Sequence, residues 1–379
     1  MTDFTSLPDL ASRRLGGGVV WANDELFAAA DNLVDPAPPS FRAGSFGPKG
    51  QIYDGWETRR RREPGYDQAI VRLGAPGVVR GVVIDTAHFT GNYPPYASVE
   101  GCGVEGYPNP ADLAEAPWFP LSPKVALAGD TRNSFAVGEQ QRVTHVRLSI
   151  YPDGGVARLR VHGDVVADPR LLGLIPVDFA ALEHGGHVVA CSNMFYGSPN
   201  NLLMPGLAGT MGEGWETARR RDAGNDWVLI RLAVPGRVRL AELDTTHFKG
   251  NAPGQAALRG IDARASELDD ADAWFDLLPR TTLQPDTRHR FATRAAPDAT
   301  HVRLDVYPDG GMARLRLFGV PSPAAMAELA ARWFNLLTPS QAVAVLAGLA
   351  PEDARRLVDS RPLTAADLPS RLWQSSTVE

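Results

Sequence analysis

Two cysteines in 379 residues, Cys102 and Cys191, are too few for a disulfide framework or a four-cysteine zinc site. Both are expected as small buried hydrophobes. A basic excess is missing too. The 38 Lys and Arg stand against 44 Asp and Glu, a net charge of −6, so nothing drives nucleic-acid binding. No apolar run approaches the roughly 18 residues of a membrane span, and Met1 to Arg14 hold no apolar signal core. A cytoplasmic protein without membrane contact is the expectation. Familiar catalytic signatures are also absent: there is no GxSxG elbow, Walker loop or CxxC pair. Gly101-Cys-Gly-Val-Glu-Gly106 fits GxGxxG on paper. A dinucleotide loop needs a helix next, and Tyr107-Pro-Asn-Pro110 follows instead.

What the chain does contain, it contains twice. Asp85-Thr-Ala-His-Phe-Thr-Gly-Asn92 returns 159 positions later as Asp244-Thr-Thr-His-Phe-Lys-Gly-Asn251. Asp54-Gly-Trp-Glu-Thr-Arg59 returns as Glu213-Gly-Trp-Glu-Thr-Ala218, and Arg60 to Arg62 as Arg219 to Arg221. Beyond the central motif the offset is 156, carrying Thr144-His-Val-Arg-Leu148 onto Thr300-His-Val-Arg-Leu304 and Tyr151-Pro-Asp-Gly-Gly155 onto Tyr307-Pro-Asp-Gly-Gly311. So long a period is a duplicated domain, not a solenoid. Residues 1–168 and 169–320 are the two expected domains, with 164–186 as the connection and 321–379 as a helical extension.

Within each repeat the signals are β. Val146, Leu148 and Ile150 alternate with His145, Arg147 and Ser149, the pattern of a half-buried strand. Pro152-Asp-Gly-Gly155 predicts a hairpin turn back into Ala157-Arg-Leu-Arg-Val161. With 37 Gly and 31 Pro punctuating short strands, an all-β chain of two tandem sandwiches is expected. After Gly319, Ser322-Pro323, Thr338-Pro-Ser-Gln341 and Pro351 each read as a helix start.

The Asp85 motif follows a strand-like run, Val79 to Ile84, and runs into a Gly-Asn turn, so its side chains point toward a cleft. Asp and His three residues apart serve a proton transfer, a metal or a loop-pinning hydrogen bond equally well. Trp56 and Trp215 read as core anchors. Glu57 and Glu216 read as partners of nearby arginines or as cleft carboxylates. Arg147, Arg158 and Arg160 read as a solvated strand face. His184-Gly-Gly-His187 resembles a ligand pair but lacks HExxH spacing and has no copy in the first repeat.

Together, the Asp54, Asp85 and Tyr151 motifs with their second copies resemble the allantoicase family across residues 15–320. The resemblance implies two galactose-binding-like jelly rolls, and hydrolysis of allantoate to urea and ureidoglycolate in purine degradation. On that basis Glu57 or His88 transfers the proton that the leaving urea needs, and Asp85 orients His88. Arg59 and Arg60 bind the substrate carboxylate, and Asn92 holds a ureido group. Glu216, Asp244, His247, Arg219 and Asn251 form the second set. Ala218 opposite Arg59, and Asn251-Ala-Pro-Gly opposite Asn92-Tyr-Pro-Pro, make the two clefts unequal. A divalent ion on Asp85, His88 and Glu57 is a second possibility; no other cofactor is called for. Another ureide-processing enzyme, for example one acting on ureidoglycolate, and a non-catalytic jelly-roll binding protein are the competing readings. Self-association is compatible with the appended helices. Within them, Trp333-Phe-Asn-Leu-Leu-Thr-Pro faintly resembles the opening of ureidoimidazoline decarboxylases, too short to supply that enzyme's site.

Overall fold

The computed structural model describes residues 4–48 and 50–373. Two compact units emerge, Met1–Val166 with Phe334–Pro362, and Ala167–Trp333 with Leu363–Glu379. The helical extension is therefore divided between them.

Each unit is organised on one 19-residue strand, Asp67–Asp85 in the first and Asp226–Asp244 in the second. In the first unit its opening half pairs with Gly18–Ala22 and Arg142–Tyr151. A register shift between Arg72 and Gly77 bends it. Its closing half then pairs with Arg158–Val165 and Arg132–Ala136. A strand that changes partners at a bulge is how one sheet turns into the two layers of a sandwich. The outer edge of the first layer is completed by Tyr96–Cys102 and Phe119–Ala126. The second unit repeats the plan, with the shift between Arg231 and Gly236.

Two strand expectations are corrected. Arg142–Tyr151 is not half-buried: His145 and Ser149 are as enclosed as Val146 and Leu148. His145 Nδ1 meets Thr144 Oγ1 at 2.8 Å and Ser149 Oγ accepts from Gln68 at 3.0 Å, while His145 Nε2 is buried without a partner among the described residues. The predicted hairpin is also absent from the sheet pairing. Gly155–Val156 after the turn pairs with Trp56–Glu57, and the Arg158 strand joins the long strand instead.

Nor is Arg158 solvated. It is 1% exposed, pairs with Asp54 at 2.7 Å, and donates to the carbonyls of Ala37 and Ala157. Of the cysteines, Cys102 is buried and Cys191 only half-buried. Trp56 and Trp215 are fully buried anchors, each indole N–H donating to a backbone carbonyl, of Asp24 and Asn193 respectively.

Helices of the extension form where the capping signals place them, at Pro323–Leu336, Pro339–Val345 and Pro351–Asp359. Thr338 and Gln341 complete a capping box. Gln341 also donates to Glu105 at 2.9 Å and fills the space where a side chain at Gly103 would stand. This docks the second helix on the first sandwich. Among the described residues no helix is long and apolar enough to cross a membrane.

Candidate active site

The repeated Asp-Thr-x-His-Phe motif forms a corner at the end of the long strand. Asp85 is buried, and its Oδ1 accepts from the Ala87 backbone at 2.9 Å. Thr86 is fully buried and donates to Ala128 O at 2.7 Å. His88 then adopts φ of 68°, a left-handed conformation that is uncommon outside glycine. Its backbone N–H is held by Asp130 Oδ1 at 2.7 Å. The turn drops Phe89 into the core beneath Gly55 and Gly155, where a Cβ on either would collide with its ring. His247 repeats the geometry, with φ of 73° and its N–H on Asp286 Oδ1 at 2.8 Å. This strained corner is the duplicated feature that the motif builds.

The expected orientation of His88 by Asp85 is not what the structure contains. The His88 ring is exposed, stacks on Phe41 at 5.8 Å between centroids, and brings Nε2 to 3.4 Å from Pro39 O. In the second repeat Asp244 Oδ1 accepts from the backbone and hydroxyl of Thr246, and His247 Nε2 meets Ala208 O at 2.9 Å. The physical reason is the corner itself: the carboxylate caps the turn, and the positive φ points the imidazole at the preceding loop.

The Gly-Asn end of the motif has another destination. Asn92 Nδ2 donates to Glu57 Oε1 at 2.6 Å, and Asn251 to Glu216 at 2.6 Å. Glu57 sits on the short strand against Gly155–Val156, which aims it into a cleft of about 390 Å³. Burial raises its carboxyl above the ordinary value, and the Asn92 hydrogen bond offsets only part of that. Arg60 lines the same cleft, exposed and without an ion pair among the described residues. Arg59 is turned aside, its guanidinium on the carboxylate of Asp24. Of the first set, then, Glu57, Asn92 and Arg60 meet in one cleft, while Asp85, His88 and Arg59 do not line it. Four further lining residues, Phe27, Thr58, Tyr93 and Asp153, were not singled out from sequence. The signal was available for Thr58 and Asp153, which lie inside repeated motifs; Tyr93 has Ala252 opposite it. Asp153 Oδ2 accepts from the Arg61 backbone at 2.9 Å, which fixes a second carboxylate at the cleft wall.

The second cluster differs in its surroundings. Met211 Sδ lies 3.4 Å from Asn251 Nδ2, and Ala252 stands where Tyr93 walls the first cleft. Arg219 is exposed and has no ion pair among the described residues. Among the described residues no three His, Cys, Asp or Glu side chains are grouped to hold a metal, so Asp85, His88 and Glu57 do not converge as one ligand set. His184 turns its Nδ1 to Asp178 O at 3.0 Å.

The allantoicase repeat matches this chain twice, at residues 8–166 and 177–322, and so covers both sandwiches. The chain belongs to the allantoicase family. It is 59% identical over 319 residues to the probable allantoicase of Nocardia farcinica, covering 83% of this chain and 95% of that one. The probable allantoicase of Streptomyces coelicolor is 49% identical over 342 residues, 87% and 89% of the two chains. Among solved structures, an allantoicase superposes with a TM-score of 0.71 at 34% identity, covering 83% of this chain and 93% of its own. The Saccharomyces cerevisiae allantoicase gives 0.69 at 33%, covering 83% and 96%. Glu57, Asn92, Glu216 and Asn251 all fall inside the two allantoicase repeats, and the α-helices Pro323–Leu336, Pro339–Val345 and Pro351–Asp359 fall outside them.

Proposed function

We propose that this chain hydrolyses allantoate to urea and ureidoglycolate, with the first repeat's cleft as the principal catalytic site. Family membership supports the reaction, and the Glu57–Asn92 pair beside Arg60 supports the place. One C–N bond at the central carbon of allantoate breaks, and an oxygen from water takes the place of the urea nitrogen. Urea leaves poorly as an anion, so the nitrogen must receive a proton as the bond breaks. Glu57 is suited to that transfer, because burial favours its protonated form while Asn92 fixes Oε1 and leaves Oε2 for the substrate. Arg60 offers a fork to the substrate carboxylate. Asp153 stands at the wall as a candidate to orient the incoming water.

Asp85 and His88 act as positioning residues in this reading. Their corner sets the approach of Gly91 and Asn92, and so the Asn92 amide that grips Glu57. The equivalent group in the second repeat is a weaker candidate for catalysis, because Met211 crowds Asn251 and the aromatic wall is missing. Urea release from allantoate, followed in the wild type and in Glu57→Gln, tests the assignment. A chain that turns over ureidoglycolate faster than allantoate would instead support the related-enzyme reading.

A further inference from the structure

The second sandwich carries an unassigned cavity of about 550 Å³ on one face of its long strand. Register makes its composition clear. Leu240, Glu242 and Asp244 lie on one face, with Ala292, Arg290 and Arg288 opposite them on one neighbouring strand and Phe318, Arg316 and Arg314 on the other. The middle row is therefore arginine–glutamate–arginine, and the row below it is apolar. Glu242 is 4% exposed and grips two guanidiniums at once, Arg288 at 2.7 Å and Arg290 at 2.8 Å. Burial alone would raise its carboxyl, but the two arginines outweigh that and hold it below the ordinary range. Arg290 meets Glu242 through Nε, so its two terminal amino groups have no hydrogen bond among the described residues.

The first sandwich shows that the fold does not require this arrangement. There the middle row is Ser134, Val83 and Arg160, and the row below it is Ala136, Gly81 and His162. Phe4 lies over that lower row, so close that a Cβ on Gly81 would stand 2.3 Å from its ring. In the second sandwich Leu240 and Phe318 take the places of Gly81 and His162, and they line an open cavity.

We propose that this cavity binds a small organic carboxylate. Two guanidiniums already braced around one carboxylate keep forks aligned for a second, and the apolar floor suits a carbon skeleton better than an inorganic anion. Four guanidiniums and one carboxylate, Glu242, line the cavity. Arg316 also pairs with Asp178 at 3.5 Å and Arg314 with Glu213 at 4.0 Å, and Arg288 and Arg290 share Glu242 between them, which leaves the excess that an anion needs. The site shares no lining residue with the Glu216–Asn251 cluster, so its occupancy can be separated from catalysis.

The test is calorimetric titration of succinate into the full-length protein, with Arg290→Ser and Arg60→Ala alongside. Arg290→Ser installs the residue that the first repeat carries at Ser134, at an exposed position, so folding is preserved. Expected are one succinate per chain, at least about a tenfold loss of affinity in Arg290→Ser, and no loss in Arg60→Ala. Allantoate turnover without succinate should be the same in Arg290→Ser as in the wild type. Absence of binding, equal affinity in Arg290→Ser, or loss of binding in Arg60→Ala would each overturn the proposal.

Discussion

Asn92 donates its side-chain amide to Glu57 Oε1 at 2.6 Å, across 35 positions of sequence. That bond joins the two motifs most clearly duplicated in the chain. It also divides the long Asp85 motif by role, with Asp85, Thr86 and His88 building a corner and Asn92 reaching the cleft.

His88 lies outside the cleft lining, so its ring is dispensable for proton transfer. His88→Ala should lower kcat/KM by less than about tenfold, whereas loss of a true acid or base costs about a hundredfold or more. Steady-state kinetics on the folded variant decides between them, and a hundredfold fall would return His88 to the chemistry.

The two neighbouring arginines should separate. Arg60 faces the cleft without an ion pair among the described residues, while the Arg59 guanidinium is held by Asp24. Arg60→Ala removes a charge-assisted bond to the substrate, expected to reduce kcat/KM by about 10- to 100-fold. Arg59→Ala should change it by less than threefold or so, the scale of an exposed ion pair. Equal losses in the two variants would place both guanidiniums on the substrate.

His145 predicts an acid-side loss of stability. Burial, with the Arg72 charge nearby, depresses it from an ordinary 6.5 to about 4. Between those two values the unfolded chain binds a proton that the folded chain refuses. Stability is therefore complete above about pH 6.5 and declines as pH falls toward 4, by on the order of 3 kcal/mol. His301 in the second repeat is shifted in the same direction for the same main reason. Denaturant midpoints between pH 7 and 4 measure the effect, and His145→Gln should flatten the slope.

The extension should matter to the first sandwich. A Cβ at Gly103 would stand 2.1 Å from Gln341 Oε1, and Gln341 bonds Glu105, which in turn pairs with the buried Arg142. Gly103→Ala should cost about 1–3 kcal/mol, and adding Gln341→Ala should recover part of it. Strictly additive effects in thermal unfolding would mean that the two residues do not meet.

Much of this was legible in the sequence, for reasons that are local. The strand over 146–150 and the capping box at Thr338 each depend on a few neighbouring residues, whereas the burial of both strand faces and the pairing after Pro152-Asp-Gly-Gly155 do not. The duplication then supplied the two tandem sandwiches, though not the division of the extension between the units. What escaped depends on distant register. Nothing near Arg158 shows that Asp54 and Ala37 will enclose it, since those partners are more than a hundred residues away. The direction of His88 is set by a positive φ that Asp130 stabilises from another loop. Glu57 and Asn92 were both candidates, but only the fold makes them a pair. Leu33 to Asp54 is also ten residues longer than Leu202 to Glu213, and this longer loop holds Phe41 and Pro39 against His88.

The most direct measurement is the rate of urea release from allantoate by Glu57→Gln beside Glu216→Gln. Glutamine keeps the shape and the bond from Asn92 while removing the proton-transfer group, and it relieves a buried carboxyl, so Glu57→Gln should be at least as stable as the wild type at pH 7. Glu57→Gln is expected to lose at least about a hundredfold in kcat, and Glu216→Gln less than tenfold. Near-normal turnover by Glu57→Gln in a correctly folded protein would contradict the account.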